Sequence, residues 1–264
     1  MKVGIIGCGA IGTSVLKHIF LNFRNHLQIY IYDNNFQKIN EIKKEYPEVR
    51  IKKSLNSIVK ECNFLIESAS IKCVHQLLPV LNKYPRDVLF MSVGGLLGKD
   101  KILTALRQKG KKIIIPSGAI AGIDGIKALA GLGIKKLVLK TFKPREVLKD
   151  APYIRKNQIK IKKSNSPQLV FKGNVKEAVK AFPKSINVSA TLLIYSRLKE
   201  FEVQIYASND RERITHIIEM ISDISQLTIT CHNFPSSENP RTSSLAIASA
   251  CMEVKNYIEE SLNI

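Results

Sequence analysis

Short apolar runs alternate with helical stretches along the first half of the chain. Lys2–Ile6, Gln28–Tyr32, Phe64–Glu67, Val88–Ser92 and Lys112–Ile115 read as strands, and between them apolar residues recur at helical spacing, as in Val15, Ile19 and Phe20. Strands that are apolar throughout must be covered on both faces. The pattern therefore predicts an α/β domain over residues 1–117 built on a Rossmann-type, doubly wound parallel sheet. Beyond Pro116 the rhythm changes to a period of two. Val203 and Ile205, then Ile214, His216, Ile218 and Met220, then Leu227, Ile229 and Cys231 mark one face, while Arg213, Thr215, Glu219, Thr228, Thr230 and His232 mark the other. That alternation predicts a mainly antiparallel sheet with one covered face, in an α+β domain over residues 118–239. Asn239-Pro240 reads as the start of a last helix, residues 240–264, whose stripe of Leu245, Ala248, Met252 and Ile258 is expected to pack back on the first domain.

The turn after the first strand carries the strongest local chemistry. In Gly7-Cys8-Gly9-Ala10-Ile11-Gly12, Gly7 permits a sharp exit from the strand, Gly9 a close backbone approach to a pyrophosphate, and Gly12 tight helix packing. Phosphates are expected over the N-terminus of the following helix, at Ala10 and Ile11, where N–H groups lack partners and the helix dipole favours negative charge. Asp33 ends the second strand, twenty-one residues beyond Gly12, at a spacing suited to accepting ribose hydroxyls. Ligands of such sheets gather at the carboxyl ends of the strands, so Ser68 and Ala69, after the Phe64–Glu67 run, are expected in the same crevice, and Ser92 to Gly95 beside them. The Asp33 charge favours NAD over a 2′-phosphorylated dinucleotide, and NADP use is left open.

Composition narrows the class. The 264 residues carry 41 Lys and Arg against 22 Asp and Glu, a net charge of +19. Such a charge raises nucleic acid as a partner, but the basic residues are scattered over most helices. The densest stretch, Lys136 to Lys163, has few aromatics and no recognisable nucleic-acid module, so no nucleic-acid partner is expected. A field that draws in anionic small molecules is the functional reading of the charge. No apolar run approaches the ~20 residues needed to span a bilayer, and the chain opens directly on its first strand, so no membrane association and a cytoplasmic location are expected. Five cysteines, Cys8, Cys62, Cys73, Cys231 and Cys251, are odd in number and widely spaced, which predicts reduced thiols and no metal site.

Among residues able to do chemistry, His216 falls on the covered face, where an imidazole must be hydrogen-bonded or face a cavity. It reads either as a satisfied core histidine or as a proton carrier with an ordinary pKa of about 6.5. His232 alternates to the wet face, and His18, His26 and His75 read as structural or exposed. Asn187 stands before the helical run Val188–Leu198 and reads as a cap or a cofactor ligand. Lys143 and Arg145 could pair with a substrate carboxylate or belong to a solvated basic loop.

Several longer segments resemble one family: Ser92-Val93-Gly94-Gly95-Leu96, Ser117-Gly118-Ala119-Ile120-Ala121-Gly122-Ile123-Asp124, Phe142-Lys143-Pro144, Phe182 through Thr191, and Asn233 through Ser243. With the glycine turn they make the chain similar, nearly end to end, to the L-aspartate dehydrogenases of the archaeal and bacterial NAD-biosynthesis type. The resemblance implies NAD(P)-dependent oxidation of L-aspartate to iminoaspartate and, in reverse, reductive amination of oxaloacetate with ammonia. It implies that His216 is the catalytic acid/base, that Ala121 and Asn187 contact the cofactor, and that the protein is a homodimer linked to a quinolinate synthase. It also implies a turn after the histidine strand that Asp223-Ile224-Ser225 does not match. Two other readings share the scaffold or the charge: a homoserine dehydrogenase or dihydrodipicolinate reductase type of enzyme, and a non-catalytic NADH sensor that binds DNA.

Overall fold

The computed structural model describes residues 1–162, 164–182, 186–236, 239 and 242–264. They form two compact units, residues 1–116 with 246–264, and residues 117–245.

In the first unit the chain runs β1 (Lys2–Ile6), α1 (Ala10–Phe23), β2 (Gln28–Tyr32), α2 (Phe36–Glu45), β3 (Arg50–Ile51), α3 (Leu55–Glu61), β4 (Phe64–Glu67), α4 (Ile71–Lys83), β5 (Asp87–Phe90), α5 (Asp100–Gln108) and β6 (Ile113–Ile114). The six strands are all parallel, in the order β3-β2-β1-β4-β5-β6. Val3, Ile5, Ile31, Phe64, Ile66 and Leu89 are almost fully buried, as a sheet covered on both faces demands. Strand β3 is too short to show in the pattern, and β5 ends two residues before the Ser92 expected from it.

The second unit contains α6 (Ile123–Ala130), β7 (Ile134–Pro144), α7 (Arg145–Lys149), α8 (Pro152–Lys156), β8 (Gln168–Asn174), α9 (Val175–Ala181), α10 (Ile186–Ser196), β9 (Glu202–Ser208), β10 (Ile214–Ser222) and β11 (Gln226–Asn233). Its sheet has the order β11-β10-β7-β9-β8; only the β7–β9 pair is parallel. Leu137, Leu139, Val203, Ile205, Ile218 and Met220 turn one face into a core that helices α6, α7, α8, α9 and α10 complete with Ile126, Leu148, Ile154, Ala178 and Leu192. Two of these strands, β7 and β8, escaped the sequence reading because lysines interrupt their apolar alternation.

The chain closes with α11 (Ser244–Leu262), which starts later than Asn239-Pro240 suggests. Pro240 lies outside the described residues. A bridge between Pro235 and Ser243 keeps the preceding chain extended. The buried stripe is Ala250, Val254, Tyr257 and Ile258, whereas Leu245 and Met252 are exposed. Tyr257 decides this phase: its ring stacks on Phe64 at 3.8 Å between centroids and its hydroxyl donates to Asp87 at 2.6 Å. Among the described residues no helix is long and apolar enough to cross a membrane.

Candidate active site

The glycine turn takes the form its three glycines allow. Gly7 has φ +95°, and a Cβ there would lie 2.6 Å from the Ala69 Cα; at Gly12 a Cβ would fall 2.0 Å from the Gly7 carbonyl oxygen. Both positions exclude any side chain for reasons internal to the fold. Gly9 differs: its φ of −79° is ordinary and a Cβ would meet nothing within 4 Å. The space beside it stands at the start of α1, whose N-terminus has no side-chain cap and no acidic residue in its first turn. The backbone N–H groups of Ala10, Ile11 and Gly12 there have no partner within the helix itself.

Two carboxylates fix the walls of this turn. Asp33 accepts from the Cys8 N–H at 2.6 Å and from the Asn35 N–H at 2.8 Å, which ties the end of β2 to the glycine loop. Glu67, fully buried at the end of β4, accepts from the N–H groups of Ala69, Ser70 and Ser92 and from the Ser92 hydroxyl at 2.9–3.0 Å. Burial raises its carboxyl above the usual range, and those hydrogen bonds oppose the shift. The Ser68 hydroxyl donates to the Gly7 carbonyl at 2.8 Å. A pocket of about 140 Å³ lies between Gly7, Tyr32, Asp33, Ala69 and Ser70. The residues present fit a dinucleotide: uncapped N–H donors for phosphate, an open approach at Gly9, and a carboxylate at the pocket wall. Cys8 and Cys73 stay protonated thiols, burial pushing each up to about 12.

In the second unit, strand register assembles a polar cluster at one end of the covered face. His216 on β10 stands directly opposite Thr141 on β7 and Cys231 on β11. The Thr141 hydroxyl and His216 Nδ1 share a hydrogen bond of 3.0 Å. The Ala121 backbone hydrogen-bonds the Cys231 thiol, and Asn233 Nδ2 donates to the Ala119 carbonyl at 3.0 Å, so the segment before α6 is pinned along β11. Gly122, at φ +70°, could not carry a side chain because Ile229 fills the space. Lys143, two residues beyond Thr141 on the same face of β7, is 8% exposed, and His216 is 7% exposed.

These two basic groups act on each other. Burial pulls the Lys143 ammonium down to about 8. Burial first, and then the Lys143 charge, pull His216 down to about 3. The ordinary value expected for His216 from sequence is thus corrected: the imidazole is neutral at physiological pH. Arg145 is buried as well; its Nη2 donates to the Ser164 carbonyl, which Asn209 also holds, and its Nε is buried without a hydrogen-bond partner among the described residues. The solvated-loop reading of Lys143 and Arg145 therefore fails, because β7 carries both onto covered positions.

The structure gathers Gly7, Gly9, Ala10, Ile11, Gly12, Asp33, Ser68 and Ala69 in the first unit, and His216 and Ala121 about Cys231 in the second. Asn187 lies exposed in the first turn of α10, inside the helix where a cap was one expectation. Pro183, Lys184, Ser185, Ser237, Glu238, Pro240 and Arg241, which carry part of the family-like segments, lie outside the described residues. Thr141 and Glu67 were missed as organising residues. Thr141 has no local signal, since only the register of β7 against β10 brings it to the histidine. His232 is exposed, bonded to Thr215.

A six-stranded parallel sheet with this glycine turn and acid, joined in one chain to a second sheet bearing a buried imidazole, defines a nicotinamide-dinucleotide-dependent oxidoreductase. The nucleotide half, residues 7–116, matches the family model described as homoserine dehydrogenase, NAD binding domain, and residues 124–257 match that described as aspartate dehydrogenase, C-terminal. The chain is 38% identical to the L-aspartate dehydrogenase of Methanocaldococcus jannaschii and 32% identical to that of Methanosarcina barkeri, over 98% of its own length and 97% of theirs in each case. It belongs to the L-aspartate dehydrogenase family. Its fold is that of the crystal structure of aspartate dehydrogenase from Thermotoga maritima, with a TM-score of 0.72 and 23% identity over 97% of this chain and 96% of that one. More distantly, scyllo-inositol dehydrogenase from Lactobacillus casei with bound NAD(H) aligns with a TM-score of 0.56 at 12% identity, over 100% of this chain and 89% of that one.

Proposed function

We propose that this chain oxidises L-aspartate to iminoaspartate with NAD, and in reverse aminates oxaloacetate reductively. The observation that carries the reading is the neutral His216 imidazole, fixed by Thr141 against the Ala121 segment in a chain of this family. The bound dinucleotide supplies the chemistry of taking up a hydride. The N–H groups of Ala10, Ile11 and Gly12, reached over Gly9, hold its pyrophosphate; Asp33 holds a ribose, with Ser68 and Ala69 at the wall; Ala121 and Asn187 contact its nicotinamide end. The Asp33 charge opposes a 2′-phosphate and favours NAD over NADP.

The proton work falls to His216. With Nδ1 committed to Thr141, Nε2 accepts a proton from the substrate ammonium and so readies the amine for loss of hydride from its carbon. In the reverse direction the same atom returns that proton. Residues 1–117 hold the dinucleotide, 118–239 the substrate, and 240–264 complete the first domain. The enzyme works as a cytoplasmic homodimer whose iminoaspartate, which hydrolyses readily, passes to a quinolinate synthase in NAD biosynthesis. Light scattering behind a sizing column tests the dimer.

The direct test follows absorbance at the nicotinamide band with L-aspartate and NAD, or with oxaloacetate, ammonia and NADH. Alanine, glutamate and homoserine are expected to be poor substitutes, and homoserine turnover at the rate of aspartate would favour the related scaffold enzymes. His216→Ala is expected to lower turnover by roughly 10²–10⁴-fold while NADH affinity holds. Turnover near that of the wild type would make His216 a core residue.

A further inference from the structure

We propose that Lys143 holds a carboxylate of the substrate beside His216. The inference rests on the dicarboxylic substrate of the reading above and names a residue for the binding task that reading leaves open. In the second unit the buried cationic side chains among the described residues are Lys143 and Arg145. Their surroundings separate them. Arg145 turns its Nη2 to the Ser164 carbonyl, beside Asn209. Lys143 stands on the His216 side: Thr141 faces His216 directly, and Lys143 follows Thr141 by two residues on the same face. Such diagonal neighbours lie about 7–8 Å apart at the backbone, within reach of a lysine stem and an imidazole. The electrostatic action of Lys143 on His216 reports the same proximity.

Two basic groups side by side out of water are an unfavourable pair until an anion joins them. A carboxylate between the ammonium and the imidazole would offset the positive field and accept hydrogen bonds from Nζ. It would also ease proton uptake at His216, the step the reaction needs. A substrate that brings its own counter-charge thereby favours a proton on the ring only when bound. Discrimination for a carboxylate-bearing side chain over alanine or homoserine follows if Lys143 takes the distal carboxylate; if it takes the α-carboxylate, all amino acids share the contact.

The test uses succinate, a dicarboxylate that cannot be oxidised at an amine, titrated into the protein saturated with NADH and read by calorimetry. Lys143→Met is expected to weaken succinate by about 10–150-fold, the range of a lost hydrogen bond to a charged group, with NADH affinity and melting temperature kept. Lys143→Arg should restore part of the binding. Succinate bound by Lys143→Met as by the wild type would overturn the proposal. A second measurement needs no lysine variant: ring ¹⁵N resonances of His216, assigned through His216→Asn, should move when succinate binds the wild type, and fixed resonances at saturating succinate would sink it. Failure of the two readings can be told apart. If wild-type protein ignores L-aspartate yet succinate binding depends on Lys143, the reaction is wrong and the anion site stands; if L-aspartate is oxidised and Lys143→Met binds succinate normally, only the site falls. Comparing butyrate with succinate assigns the distal or the α position.

Discussion

Gly9→Ala should separate the cost of cofactor binding from the cost of folding, because Gly9 is the glycine of its turn with no internal reason to be one. Its backbone has an ordinary φ of −79°, and a methyl group there would meet nothing within 4 Å. Restricting the unfolded chain stabilises by about 0.4–1 kcal/mol, and exchanging a favourable cap residue for Ala costs roughly as much, so the net change in stability is near zero. A methyl group at the start of α1, however, occupies the path of a phosphate toward the helix N–H groups. Loss of one hydrogen bond to a charged group, about 1.5–3 kcal/mol, weakens NADH by about 10–150-fold. Gly12→Ala is the control. Its Cβ would lie 2.0 Å from the Gly7 oxygen, and overpacking of this kind costs about 1–3 kcal/mol. At about 2–4 °C per kcal/mol the control should melt several degrees low and bind poorly as well. NADH fluorescence titration and thermal melting on the same samples decide the matter. If Gly9→Ala melts as low as Gly12→Ala, or binds NADH as the wild type does, the turn is not the phosphate site described.

Two further expectations concern buried partners in the first unit. Burial raises the Glu67 carboxyl in the folded state, so its stabilising contribution is complete below the unfolded value of about 4.5 and is lost as pH rises through the folded value. Urea unfolding from about pH 4 to about pH 8 should therefore show Glu67→Gln gaining on the wild type with rising pH, and a constant gap between the two refutes the assignment. Tyr257→Phe keeps the stack on Phe64 and deletes the 2.6 Å bond to Asp87; it should lower stability by about 1.5–3 kcal/mol in denaturant melts and leave NADH affinity unchanged. Equal midpoints would show that the α11 phase rests on hydrocarbon alone.

What the sequence alone determined about this protein is local. Strand β1, the glycine turn, α1 and Asp33 at the end of β2 follow from contacts within about thirty residues, so apolar runs and spacing suffice to place them. The period of two likewise put His216, Ile218 and Met220 on one face, because alternation is fixed by the pleat. Tertiary structure decided the rest. Lysines along β7 and β8 hid those strands, since whether a lysine is buried depends on which layer covers it, and α6, α7, α8, α9 and α10 do so from elsewhere in the chain. Tyr257 set the inward face of α11 by reaching Asp87, a partner 170 residues away. The state of His216 was decided in the same way: Thr141 and Lys143 sit more than seventy residues earlier, and only the antiparallel register of β10 on β7 brings a hydroxyl and a positive charge to the imidazole and keeps it neutral.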